Sequence, residues 1–142
     1  MSALPDPGTD FGARVRHRLD TEEVIWLTIV PPSGTPQPNP VWFLFEPDSE
    51  SLLIYNDNKA RRLAFIEAHP AVAAHFNTDA EGEDVVVFTG RLERALDAPT
   101  PDQNADYVAK YSAPIQRIGF DNAAFAERYS VAMRLHIDKV RG

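Results

Sequence analysis

The sequence contains no cysteine. Disulfides, thiolate zinc sites, iron–sulfur clusters and cysteine nucleophiles are therefore excluded. No apolar run approaches the roughly 18–20 residues that a membrane-spanning helix needs. The opening MSALPDPGTDFGARVRH has no apolar segment of the kind a secretory leader carries, so a cytoplasmic location is expected. Glycine is sparse, at seven residues, and these form neither G-x-G-x-x-G nor a Walker loop. Ordinary Rossmann or P-loop nucleotide binding is accordingly not expected. No G-x-S-x-G elbow occurs, so a serine hydrolase has no support. Positive charge is in the minority, with 14 basic against 21 acidic side chains and a formal net charge of −7. A broad nucleic-acid surface needs the opposite balance, although a local basic pocket for a small anion remains open. His17, His69, His75 and His136 are scattered without the spacing of metal ligands.

What is present suits one soluble domain over residues 1–142, a length that supports a real core. Residues 1–11, with Pro5, Pro7 and Gly8, are expected to be mobile or laid on a surface. A short helix is expected over 12–22. The run VIWLTIV (24–30) reads as a strand buried on both faces. Val41 to Phe45 forms a second strand, with Pro40 at its start or at a bulge. SLLIYN is a third strand, AVAAHF a fourth, and 84–96 a long fifth with a bulge at Gly90. Tyr129 to Ile137 alternates strictly and gives a sixth with one wet face. A helix is predicted over 59–68, stopped by His69-Pro70. Another begins at Thr100-Pro101-Asp102 and runs to about Tyr111, and a third covers 122–128. Six short antiparallel strands close most readily as a mainly β barrel flanked by helices, with a sandwich as the alternative.

The stretch IYNDNKARRLAFIEAHP (54–70) poses the sharpest question. If Asn58 caps the predicted helix, Lys59, Arg61 and Arg62 crowd an end that is already partly positive. An anion docked there would gain amide donors, the dipole and one or two cations. The bland reading is a solvated charge run paired with Asp57 or Glu67. Trp26 reads as core packing. Trp42 follows a proline-broken strand start, where free backbone groups could reach a planar ligand. Tyr107 and Tyr111 share a helix face, which packing onto the barrel explains.

Taken in order, PQPNPVWF, then LLIYNDNKARRLAFIEAHPAVAAHF, then DVVVFTGRLERA resembles the pyridoxamine 5'-phosphate-oxidase-like split β-barrel family of flavin and deazaflavin reductases. The resemblance runs from Thr21 to Asp138. It implies a homodimer with two cofactor sites at the subunit interface. In that family the lysine opening the helix binds the cofactor phosphate, a place that Lys59 takes here. Asn58, Arg61 and Arg62 would surround it, with Asn56 ending the preceding strand. Asn39, Pro40, Val41 and Trp42 would lie along the isoalloxazine-type ring, and Thr28 would face the same region. The sequence stops at IDKVRG without the basic segment that holds pyridoxal phosphate in the true oxidases, so vitamin B6 oxidation is not expected. GFDNAAFAERYS (119–130) is most similar to the branch using the deazaflavin coenzyme F420, whose phosphate and acidic tail suit several cations. The resemblance thus implies hydride transfer from reduced F420 to a small planar, unsaturated or aromatic substrate. The alternatives are an FMN-dependent oxidoreductase of the same fold, or a non-catalytic binder of flavin, F420 or haem.

Overall fold

The computed structural model describes residues 2–142. It contains three α-helices, α1 (Asp10–Thr21), α2 (Ala105–Arg117) and α3 (Asn122–Arg128). Its strands are β1 (Val24–Ile29), β2 (Gln37–Trp42), β3 (Leu44–Glu46), β4 (Ser51–Asn56), β5 (Ala71–His75), β6 (Val87–Arg94) and β7 (Val131–Arg141). All pair antiparallel in one sheet of order β2-β1-β5-β6-β7-β4-β3.

β2 and β3 lie at opposite edges of the sheet, yet only Phe43 separates them in the chain. The sheet must therefore roll until its edges meet. That gives a mainly β split barrel, and it reconciles seven strands with the six expected: the second strand is divided at its seam. At that seam Phe43 sits outside both ladders, and α2 supplies its backbone partners. The Phe43 N–H donates to the Tyr111 hydroxyl at 3.0 Å. Lys110 Nζ donates to the Phe43 carbonyl at 2.8 Å and lies 3.8 Å from the centre of the Phe43 ring. A buried backbone group left without such a partner would be costly.

The barrel interior is aliphatic with a few phenylalanines. Ile25, Leu27, Leu52, Ile54, Phe88, Met133 and Leu135 are almost fully buried there. β1 alternates rather than being buried on both faces: Trp26 and Thr28 turn outward and are half-buried. Trp26 is therefore not a core residue, and its Nε1 donates to Asn77 Oδ1 at 3.0 Å. β4 is buried on both sides, because a second cluster beneath α2 and α3 covers Leu53 and Tyr55. The predicted irregularity at Gly90 is present. Thr89 pairs with Lys139 and Gly90 with Ile137, which leaves Asp138 as the extra residue on β7. A Cβ at Gly90 would stand 2.0 Å from the His136 carbonyl oxygen, so only glycine permits this approach.

The N-terminal residues from Ser2 on are laid on the barrel; Met1 lies outside the described residues. Leu4 is buried in the core, and the Ala3 N–H donates to Glu50 Oε1 at 3.1 Å. α1, capped by Thr9, buries Val15 and Leu19. The helix expected from Thr100 starts later and runs further. Pro101–Gln103 makes a 3₁₀ turn, and the α-helix begins after Asn104, whose side chain accepts from the Tyr107 N–H at 3.2 Å. It continues to Arg117 because Tyr107, Tyr111, Pro114 and Ile115 form one buried stripe.

The predicted helix 59–68 does not form. Only a 3₁₀ turn, Arg61–Ala64, is present, with Ala60 at its cap position and no side-chain cap. Asp57 is the cause: its carboxylate accepts from the Lys59 N–H at 2.9 Å, and its carbonyl from the Ala60 N–H. Such local side-chain bonding competes with helix formation. Asn58 is therefore not an N-cap, its own N–H being given to the Arg128 carbonyl. The anion site built on a helix N-terminus falls with that helix. No helix among the described residues is long and apolar enough to cross a membrane.

Candidate functional site

Outside the barrel, a cleft of about 380 Å³ opens between the end of β2, the end of β4, the 57–62 segment and the two helices α2 and α3. That volume lies in the range of small-molecule sites. Pro40, Val41 and Trp42 form one wall, and Tyr55, Tyr107 and Phe125 form the aromatic part. The Trp42 ring stacks on Tyr111 at 4.8 Å with an interplanar angle of 10°, and on Phe125 at 5.6 Å. Phe125 stacks in turn on Tyr129 at 4.4 Å. The aromatic cluster holds itself rigid by these contacts, each stabilising beyond its buried area. The Tyr55 hydroxyl donates to the Pro99 carbonyl at 2.7 Å and accepts from Asn104 Nδ2 at 3.1 Å. Burial pushes its pKa up, so it stays neutral.

The cation of this cleft is Arg62. Its Nε donates to Asn56 Oδ1 at 2.7 Å. Asn56 is itself buried, and its amide nitrogen donates to the Ile54 and Val131 carbonyls. The strand end thus fixes Asn56, and Asn56 fixes the guanidinium. Arg62 is half-buried and, among the described residues, has no carboxylate within ion-pair distance. Burial lowers its pKa, with Asp57 opposing the shift. Asp57 is engaged elsewhere, bonding the Lys59 N–H and accepting from Arg128 Nε at 3.0 Å. The Lys59 N–H and then Arg128 hold its carboxyl below the usual range.

Two further clefts adjoin this one. Arg62 and Ala60 are shared with a cleft of about 500 Å³ that Asn39 and Arg61 also line. Asp57 is shared with one of about 490 Å³ that Asn58, Lys59 and Arg128 line. Of the residues singled out in the sequence, Pro40, Val41, Trp42 and Arg62 come together in the first cleft, with Asn56 directly behind Arg62. Arg61 and Asn39 meet in the second, and Asn58 and Lys59 in the third. Thr28 lies on the outward face of β1 opposite Pro38 and Ala73 and lines none of the three. Sequence reasoning missed Tyr55, Phe125 and Tyr129 as cleft residues and took Tyr107 for packing. The spacing of Phe125 and Tyr129, one helical turn apart, was the available signal.

Comparison with known proteins agrees with this architecture. No curated protein matches the sequence. Among solved structures, an F420 reductase is 24% identical, covers 89% of this chain and 94% of its own, and superposes with a TM-score of 0.63. A FAD-binding protein from Mesorhizobium loti is 20% identical over 88% of each chain, with a TM-score of 0.63. The haem storage protein HutZ from Vibrio cholerae is 13% identical, covering 91% of this chain and 92% of its own, with a TM-score of 0.56. At these identities the likeness is one of fold, and that fold serves several ligands. The family model described as pyridoxamine 5'-phosphate oxidase matches residues 11–142, nearly the whole sequence, and the chain belongs to that family.

Proposed function

We propose that the chain is a reductase that holds reduced coenzyme F420 and passes hydride to a small planar, unsaturated or aromatic substrate, working as a cytoplasmic homodimer. One observation carries this reading: Arg62 is a half-buried cation without a carboxylate partner among the described residues, fixed by Asn56 at the junction of two clefts. A guanidinium so placed suits a phosphate, which it can bind through two parallel donors. Arg61 and Lys59, exposed on either side, suit the further negative charge of an acidic tail. Pro40, Val41 and Trp42 offer a flat wall to a tricyclic ring.

The coenzyme would supply the hydride; the protein's part is binding, orientation and exclusion of water. A second copy of the chain would complete the site. The outward face of β1 and β2 carries Val24, 38% exposed, with half-buried Trp26 and Thr28 and exposed Pro38 and Pro40. Covering that apolar face is what a homodimer would achieve, and it would bring Thr28 to the interface.

Spectroscopic titration with F420 and with FMN tests the reading, followed by stopped-flow oxidation of bound reduced cofactor with a panel of quinones and enones. The expected outcome is F420 binding with turnover. FMN that copurifies and survives gel filtration would shift the assignment to an FMN oxidoreductase of the same fold. Tight binding without turnover would instead identify a carrier of flavin, F420 or haem.

A further inference from the structure

Tyr107 is only 1% exposed, yet its hydroxyl meets no hydrogen-bond partner among the described residues. Its two neighbours in the cluster are both tied. Tyr55 bonds Pro99 and Asn104, while Tyr111 accepts from the Phe43 N–H and donates to the Glu23 carbonyl at 2.6 Å. A buried phenol left unpaired is a cost that native proteins rarely carry without cause. Among the described residues the side-chain atom both sealed from solvent and unpaired is Asn122 Oδ1, not the Tyr107 oxygen. The trace of surface that Tyr107 keeps therefore lies at its hydroxyl, and the residue lines the cleft. Its ring cannot easily turn away. Tyr55 meets it edge-on at 4.7 Å, Tyr111 lies at 4.8 Å and Phe125 at 6.3 Å.

We infer that the Tyr107 hydroxyl is the donor that fixes the carbonyl oxygen of a planar conjugated ketone, an enone or a quinone, bound in this cleft. The aromatic walls select a flat ring. The donor selects a neutral acceptor: an anion would be drawn to Arg62, on the separate wall made by the 57–62 segment. Burial raises the hydroxyl's pKa, so it keeps its proton and donates throughout the ordinary pH range. A fixed hydrogen bond to the carbonyl also draws electron density toward oxygen and makes the conjugated carbon a better hydride acceptor. That catalytic consequence rests on the reductase reading above; the binding role does not.

The test uses menadione as probe and 2-methylnaphthalene as the hydrocarbon of similar shape, with binding read from quenching of tryptophan fluorescence. Trp42 lies in the cleft, and the chain has no thiol for the quinone to alkylate. Tyr107→Phe is expected to keep or raise the wild-type Tm, because no protein hydrogen bond is lost. It should weaken menadione binding roughly tenfold and leave 2-methylnaphthalene unchanged. Wild-type affinity for menadione should be flat from about pH 6 to 9. The inference is overturned by absence of menadione binding to the wild type, by equal affinities in the two proteins, or by parallel loss of both probes. A fall in Tm of about 3 °C or more would overturn it too, since it would reveal a protein partner for the hydroxyl. Failure of F420 and FMN to bind, with the menadione result intact, would remove the reductase reading alone.

Discussion

The molecule has two packed regions that share one wall. On one side of β4, Leu52 and Ile54 point into the barrel; on the other, Leu53 and Tyr55 point under α2 and α3. The barrel interior is aliphatic with a few phenylalanines, and it asks for no polar partner. The outer cluster is built from Tyr55, Tyr107, Tyr111, Trp42 and Phe125, so it carries polar atoms into a dry place. Two of its hydroxyls, those of Tyr55 and Tyr111, are hydrogen-bonded, and that of Tyr107 has no partner among the described residues. The contrast separates shape from chemistry: the interior holds the barrel closed, while the outer cluster fastens its seam and lines a cleft.

The largest effect expected from breaking this division lies in the interior. Leu135→Ala should cost about 2–5 kcal/mol of stability, measured by urea unfolding, with ligand affinity of the folded protein retained. Arg62→Ala should act the other way round. It should reduce F420 affinity by about 1.5–3 kcal/mol, the scale of a charge-assisted bond, and cost only about 1 kcal/mol of stability, because Asn56 Oδ1 loses its donor. Lys59→Ala should cost less than about 1 kcal/mol of affinity, because Lys59 is exposed and lies beyond Asp57. Equal losses for the two would place the phosphate nearer Lys59 than the clefts suggest.

Within the outer cluster the two phenols should separate. Tyr111→Phe leaves the Phe43 N–H and the Glu23 carbonyl without their partner and should cost about 1–3 kcal/mol of stability, whereas Tyr107→Phe should cost none. Differential scanning calorimetry of the pair would show whether seam and cleft are distinct. The smallest effect is a pH dependence at Lys110. Burial lowers its pKa from 10.5 to about 8 in the folded protein. Above pH 8 the folded state has released a proton that the unfolded chain still binds, so stability should rise from about pH 8 to 10. Beyond that range the unfolded tyrosines ionise while the buried ones do not, and the slope should reverse. Lys110→Met should abolish the rise. Lys110 is half-buried, so solvent screening keeps the amplitude modest.

The strands were legible because their signals are local. The alternation of Met133, Leu135 and Ile137, the lone Gly90 and the turn residues between strands each state a requirement that neighbours in sequence satisfy. The division of the second strand at Phe43 was not legible, because it depends on Tyr111 and Lys110, far along the chain. The helix at 59–68 failed for a local reason that could have been weighed: Asp57 and Asn58 favour a turn of their own. Arg62 was legible as a cation but not as one aimed by Asn56, and Thr28, named with the site, stands on the outward face of β1 and lines none of the three clefts. Tyr107 and Tyr111, one turn apart on α2, looked alike in sequence. Only the partners of their hydroxyls tell them apart.

On the proposed function, Arg62 anchors an anionic, flat-ringed cofactor beside the aromatic cleft. The most direct test is a fluorescence titration of wild type and Arg62→Ala with F420, run in parallel with FMN. Saturable binding of F420 by the wild type is expected at or below tens of micromolar. The variant should bind at least roughly tenfold more weakly. No binding of either cofactor, or identical curves for the two proteins, would contradict that anchoring role.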